Sequence, residues 1–510
     1  MKPTQGQIAV FLALAFLSVT ALLAACLEAS RIACLEALLR QGSESALRSV
    51  FAAYDGEMMQ EYGLMTARAA DASGLVWQET ARGYAEKYLE PGAGTRFETG
   101  DRVQAKSVEA EALDTVLITE GEGRILLQEV VTYMKSAGLS ILLQELLERL
   151  GLYSQEDGLG LIGTLKGMID NKDSSIEGIL NSYRDVKNQV QNLQEAAAQA
   201  AAQEDGSPAQ PPAATADDVK PDLLEQIKTI RENGLIAIVT GQEKLSRYSW
   251  QDDSLPSRLS GTEKQRHESF AGENVSLLDH FLAGEFMMRR MDCYTSPARN
   301  GARYEIEYIL TGKKTDKAAL ETVVGEILLI RVGFNLAYLL TDADKLAEAE
   351  ALAAAIMTIL ALPELILLLK WLLVTAWALA ESIVDIRGLL KGKKVPFWKN
   401  AANWQLRTLS LDLSAVGGGN KGFGYEDYLR LLFWLGRPED QAYRMMDVMQ
   451  KRLQLKNPAF LMKEYMVCAV LSVRTAVSYL YIQNPVYRRL SGAGNARKFR
   501  YDAVYSYGRR

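Results

Sequence analysis

The sequence predicts an α+β protein, mostly helical, in which a single N-terminal transmembrane helix continues into a large extracytoplasmic body with a helical arm. Three observations predict it. No charged residue lies between Lys2 and Glu28. Most later apolar residues recur at helical spacing, and only a few short runs alternate with period two.

The first observation defines the anchor. Ile8 to Leu27 is almost wholly apolar, and twenty helical residues span about 30 Å, the hydrocarbon thickness of a bilayer. Leu27, Ala33, Leu35, Leu38 and Leu39 then alternate with Glu28, Arg31, Glu36 and Arg40. The same helix therefore leaves the membrane as a half-amphipathic stem, and residues 1–40 are expected to form the anchor. Lys2 favours a cytoplasmic N-terminus. A cleaved secretory signal has a shorter apolar core and then a break; here the core is longer and no turn follows. Leu23-Ala24-Ala25-Cys26 fits a lipobox and makes Cys26 a candidate lipidation site. The helical pattern running straight through Cys26 favours the intact anchor.

Composition bounds the rest. The chain has 510 residues, 48% hydrophobic and 24% charged, with a net charge of −6. That charge gives no general basic surface, so nucleic acid is not an expected partner. Four cysteines do not make a disulfide scaffold at this length; pairing of Cys293 with Cys468 stays open, and single buried thiols are the preferred reading.

Residues 41–199 read as a helix-rich first lobe with a helical arm. Ala46, Leu47, Val50, Phe51, Tyr54, Met58, Met59, Tyr62 and Leu64 form a core stripe, and Gly63 stops a helix. Tyr84 to Tyr88 is a helix, Pro91 to Gly94 a turn, Thr115 to Thr119 a strand, and helices return from Gly123 to Leu152. Ile179, Val186, Val190 and Leu193 have the spacing of a helix pair. Residues 200–220, rich in Ala and Pro, read as a disordered linker. Residues 221–510 are expected to be an α+β second lobe. Its strands are expected at 303–310, 408–416, 465–482 and 498–507, and its helices at 315–340, 342–362, Tyr425 to Leu435 and Pro438 to Gln454.

The run Leu365 to Val374 raises the question of a second span within 351–383. Glu364, Lys370 and Glu381 interrupt it, and no charge-free window reaches ~18 residues. Lys370, Glu381 and Asp385 share one stripe of the helix. That suits a helix buried in the lobe with one wet edge. The rival is a span followed by the basic residues Arg387, Lys391, Lys393, Lys394 and Lys399. The buried helix is preferred.

No motif carries chemistry. Gly417-Gly418-Gly419-Asn420-Lys421-Gly422 fits G-x-G-x-x-G, with Glu439 near the offset of a ribose-binding acid. Gly436-Arg437-Pro438-Glu439 is a turn between helices, however, so the glycines read as a turn before a capped helix. Gly312-Lys313-Lys314-Thr315 lacks the first glycine of a phosphate loop. His267 and His280 have no Cys or carboxylate at ligand spacing. Asp342, Asp344, Glu348 and Glu350 read as a solvated helix face. No catalytic residue, cofactor or metal ligand is expected.

Two stretches carry a resemblance. Gly6 followed by Gln7-Ile8-Ala9-Val10-Phe11-Leu12 resembles the start of tight-adherence (Tad) pseudopilins, which a prepilin peptidase cuts after a Gly. Gly6 and Gln7 are therefore candidate processing residues; Phe11 stands where those proteins carry Glu. Trp377 to Arg387, Leu390 to Pro396 and Tyr425 to Leu432 resemble an uncharacterised family of membrane-anchored Firmicute proteins associated with Tad pilus genes. The resemblance implies a non-enzymatic, membrane-anchored component of a Tad-like pilus or secretion apparatus. Its expected partners are membrane lipid and other pilin-like or pilus-assembly proteins. A lipid-anchored surface binding protein and a cell-envelope hydrolase with a carboxylate pair assembled only in the fold stay open as alternatives.

Overall fold

One helix, α1 (Gln5–Ala52), runs unbroken for 48 residues through two environments. The computed structural model describes residues 5–71, 74–89, 108–136, 236, 239–240, 245–268, 270, 275–296, 304–359, 362–406, 415–478 and 496–507. The expected arm around 176–193, the 200–220 linker and most of the expected 408–416 strand lie outside them. The chain groups into two compact units that interleave: Met1–Tyr133, Ser254–Glu273 and Met449–Arg510 in one, Met134–Asp253 and Asn274–Val448 in the other.

In the first unit, α1 is bare at its start. Ile8, Val10, Phe11, Leu12, Leu14, Phe16 and Leu17 are all more than half exposed. Further along, Leu35, Leu39, Gly42, Ser43, Ala46, Leu47, Val50 and Phe51 are buried on one face at three- and four-residue spacing. Helix α2 (Gly56–Tyr62) follows, with Asp55 capping its start by accepting from the Met58 amide at 2.7 Å. It stops at Gly63, whose φ of 72° is the left-handed cap conformation expected there.

The buried face of α1 lies on an antiparallel sheet. Its strands are β1 (Ala67–Arg68), β4 (Val108–Leu117), β5 (Tyr465–Ser478) and β6 (Ala496–Ser506); a short hairpin, β2 (Ala70–Asp71) with β3 (Gly74–Leu75), stands apart. Strand β5 is central, pairing with β4 along one edge and with β1 and then β6 along the other. Helix α3 (Val76–Leu89) packs against α1 and β4, and its Trp77 indole donates to Thr115 Oγ1 at 3.1 Å. Leu39, Leu47, Phe51, Trp77, Met466, Leu471, Val473 and Phe499 share this core, and Tyr507 donates its hydroxyl to the Phe51 carbonyl. The expected strands at 115–119, 465–482 and 498–507 are thus present, with shifted ends. Helix α4 (Arg124–Ser136), as far as Tyr133, and helix α5 (Gly261–Gln265) also belong to the first unit.

Among the described residues the second unit is mostly helical: α6 (Leu277–Arg290), α7 (Glu305–Thr311), α8 (Asp316–Thr341), α9 (Ala343–Ile359), α10 (Ile366–Leu390), α11 (Tyr425–Leu435) and the start of α12 (Pro438–Gln454). Helix α10 packs against both α8 and α9, and α11 against α6 and α7.

Two expectations are corrected here. The 303–310 strand is helix α7. Its alternating Glu305, Ile306, Glu307, Tyr308 and Ile309 are all buried, charges included. The period-two reading assumed that the charged positions face water; instead both glutamates accept backbone amides, Asp292 N at 2.9 Å and Tyr294 N at 2.9 Å. The stripe of α10 expected to form a wet edge is buried at Glu381 and Asp385. Among the described residues, three helical stretches are long and apolar enough to cross a membrane: Ile8–Ala52, Asp316–Thr341 and Pro363–Leu390. The apolar window of the first is 0% buried, those of the other two 39%.

Replacing Phe51 by Ala should lower unfolding stability by about 3–5 kcal/mol in denaturant titrations, because the ring leaves a cavity between α1 and the last strand. Gly63→Ala should also destabilise. A Cβ there meets the Tyr133 ring at 2.0 Å and holds a left-handed backbone. Unchanged midpoints for both variants would refute this packing.

Candidate functional site: a buried charge cluster

The densest polar chemistry in the described residues lies inside the second unit. Helix α8 presents Arg331 and Asn335 one turn apart, and α10 presents Glu381, Ser382 and Asp385 on one face. The segment after α10 adds Lys399. Arg331 Nη2 lies 2.6 Å from Asp385 Oδ2, and Lys399 Nζ lies 2.6 Å from Glu381 Oε1 and 2.8 Å from Asp385 Oδ1. None of these four side chains is more than 1% exposed. Two cations face two anions, so the cluster carries no net charge.

The remaining hydrogen-bonding capacity is used to hold the 395–406 segment. Arg331 Nη1 donates to the carbonyls of Pro396 and Phe397 at 2.9 and 3.0 Å. The Gln405 and Leu406 amides donate to the two oxygens of Glu381 at 2.9 and 3.0 Å. Asn335 donates to Ser382 Oγ at 2.8 Å. Saturated and shut off from water, the cluster has no open position for a substrate. What it does is fix α8, α10 and a non-helical segment in one register.

The Gly-rich run serves the same packing. The Gly417 amide donates to the Val384 carbonyl at 3.0 Å, and a Cβ on Gly388 would lie 2.2 Å from the Gly417 carbonyl. Residues Gly419 and Phe423 bridge to Lys394 and Val395. The run is a turn strapped onto α10, followed by α11, whose first turn is capped by Asp427 accepting from the Gly424 amide at 2.9 Å.

A second buried acid, Glu307, accepts at Oε1 from the Tyr425 hydroxyl at 2.8 Å, while its Oε2 has no hydrogen-bond partner. Burial pushes this carboxyl up to about 7, against the donors on Oε1. Burial, and then the charge of Glu307, push the Cys293 thiol up, the opposite of an activated nucleophile.

The fold also gives each histidine a partner that sequence spacing did not show. In the first unit His267 lies between Glu120 Oε2 at 2.7 Å and Asp114 Oδ1 at 2.8 Å, one on each ring nitrogen. In the second, His280 Nε2 meets Gln441 Oε1 at 3.1 Å, and burial lowers its pKa. Among the described residues no group of three or more His, Cys, Asp or Glu could hold a metal ion. Of the residues singled out from sequence, Gly6 and Gln7 lie in the first turn of α1, and Cys26 is exposed in its middle. The charge cluster escaped sequence reasoning. Its signal was a lone Arg331 inside one apolar helix and a Glu381/Asp385 pair inside another.

The architecture is that of a mostly helical α+β protein with a long apolar N-terminal helix. The chain belongs to a family of unknown function (DUF5702), whose model matches residues 214–477, just over half of its length. That span contains the whole charge cluster. No curated protein and no solved structure matches the chain.

Arg331→Met should cost about 3–5 kcal/mol of unfolding stability, because it removes both guanidinium donors from the buried Asp385 Oδ2. The double variant Arg331→Met, Asp385→Leu should cost less than the sum of the two single changes. Strict additivity in calorimetry would show that the pair is not coupled.

Glu307 gives a pH dependence. Its folded pKa of about 7 lies above the ordinary 4.5, so the native state holds the proton more tightly than the unfolded chain. Stability from this group should fall as pH rises from about 4.5 to about 7 and level off above. Glu307→Gln should flatten that slope in urea titrations. A slope identical to that of the parent chain would contradict the assignment.

Proposed function

We propose that this chain is a non-enzymatic, single-pass membrane protein whose bulk lies outside the cytoplasm and serves a Tad-like pilus or secretion apparatus as a pseudopilin-like structural or assembly component. The observation that carries the reading is the division of α1. Its first half is uncharged and bare, and its second half is the core of an antiparallel sheet domain. A flexible tether would let the body swing. A helix continuous from lipid into core instead transmits the position of the body to the membrane, and its bare length can pack against similar helices. The likeness of Gly6–Leu12 to pseudopilin starts, and of 377–396 and 425–432 to proteins associated with Tad genes, supports the same reading. The saturated charge cluster favours a scaffold over a catalyst.

Mass spectrometry of the mature N-terminus from cells tests the anchoring mode. An intact start at Met1 or Lys2 is expected. A start at Gln7 would assign prepilin-type processing, and a diacylglyceryl-modified Cys26 would replace the helix anchor with a lipid. Affinity capture from membranes should recover pilin-like proteins and lose them when the pilus genes are deleted; capture unchanged by that deletion would sink the assignment.

A further inference from the structure

The hairpin of α9 and α10 has a polar base and an apolar tip. Helix α9 carries Asp344, Lys345, Glu348 and Glu350 near its start and then no charge through Ile359. Helix α10 begins Ile366-Leu367-Leu368-Leu369 before its first charge, Lys370. Ile359 is 66% exposed, with Leu362, Leu367 and Leu368 also uncovered. Where the apolar part meets the base, Lys370 Nζ pairs with Glu350 Oε2 at 2.6 Å across the two helices, and Trp371 stands beside it. Beyond this collar α10 enters the interior, with Val374 and most of Trp377 to Leu390 buried.

We propose that the tip of this hairpin dips into one leaflet of the lipid bilayer, giving the protein a second membrane contact besides α1. Length decides between dipping and crossing. The nine residues Ala351–Ile359 rise about 13 Å, close to half of the roughly 30 Å hydrocarbon core. The helix cannot be drawn in further, because the rest of α10 is the core of its own unit. The collar is what an interface selects: a tryptophan and a lysine at one depth, with the charges paired. Glu364 is the one charged side chain of the tip, and it opposes entry. The uncovered leucines and isoleucine outnumber it, and their transfer out of water outweighs one carboxylate. The inference rests on α1 lying in the bilayer, which keeps lipid at high effective concentration around the body.

The test uses the full chain in liposomes of phosphatidylcholine and phosphatidylglycerol, in a Cys26→Ser, Cys34→Ser background. An environment-sensitive fluorophore is attached in turn at Phe16→Cys, Asp344→Cys, Ile359→Cys and Leu368→Cys. The probes at 359 and 368 should be quenched by nitroxide-labelled lipid several-fold more than the probe at 344, and Glu364→Gln should increase that quenching. Tip probes as wet as position 344, with position 16 quenched, would overturn the proposal and leave the anchor standing. A wet position 16 would remove the anchor reading and this one with it. Tip probes shielded from water but not quenched by lipid would mean that a protein surface covers them, either a partner's or a second copy's, and would also overturn it.

Discussion

A single helix is bare over its first half and sealed in a core over its second, and the first unit is built around that division. The early part of α1 exposes Phe11, Phe16 and a series of leucines to its surroundings, while Leu39, Leu47 and Phe51 are sealed beneath a sheet. Each large apolar side chain removed from water contributes about 1.5–3 kcal/mol. The stem is therefore held by its own core, and the bare part needs an apolar medium to match. The strands that close over it arrive from the far end of the chain: β5 and β6 supply Met466, Leu471, Val473 and Phe499 to the core that α1 opens. The helix and the last strands share one core.

The second unit solves a different problem. Helices α8 and α10 are long and apolar enough to cross a membrane, and non-directional apolar contact alone sets the register of two such helices weakly. Arg331, Asp385, Glu381 and Lys399 give them one register, because any other alignment would leave a charge buried without its partner. Charge pairing here sets position more than stability. The Gly388–Gly417 approach acts with it by letting a turn lie directly on α10, where any side chain would hold the backbones apart.

Local signals read well from sequence where water and neighbours agreed on the pattern. The helices at 425–435 and 438–454, the stop at Gly63 and the strands expected at 115–119, 465–482 and 498–507 carried their own caps, periods and turn residues. The failures came where burial overrode the pattern. Glu305 and Glu307 alternate with apolar residues as a half-wet strand would, yet all lie inside a helix whose glutamates accept backbone amides. The stripe of Lys370, Glu381 and Asp385 was geometrically real, but its two acids face inward because Arg331 and Lys399 come to meet them from 54 and 14 residues away. Nothing local in β5 announces that it pairs with β4, some 350 residues earlier. Likewise, His267 and its two acids, 147 and 153 residues apart, leave no spacing to find.

The placement of α1 in lipid is the premise beneath the rest, and fractionation of cells expressing the native chain examines it most directly. With the helix in the bilayer, the full-length protein stays in the membrane pellet through an alkaline carbonate wash and leaves it only in detergent. Recovery of most of the chain, α1 intact, in the cytosolic supernatant would contradict it.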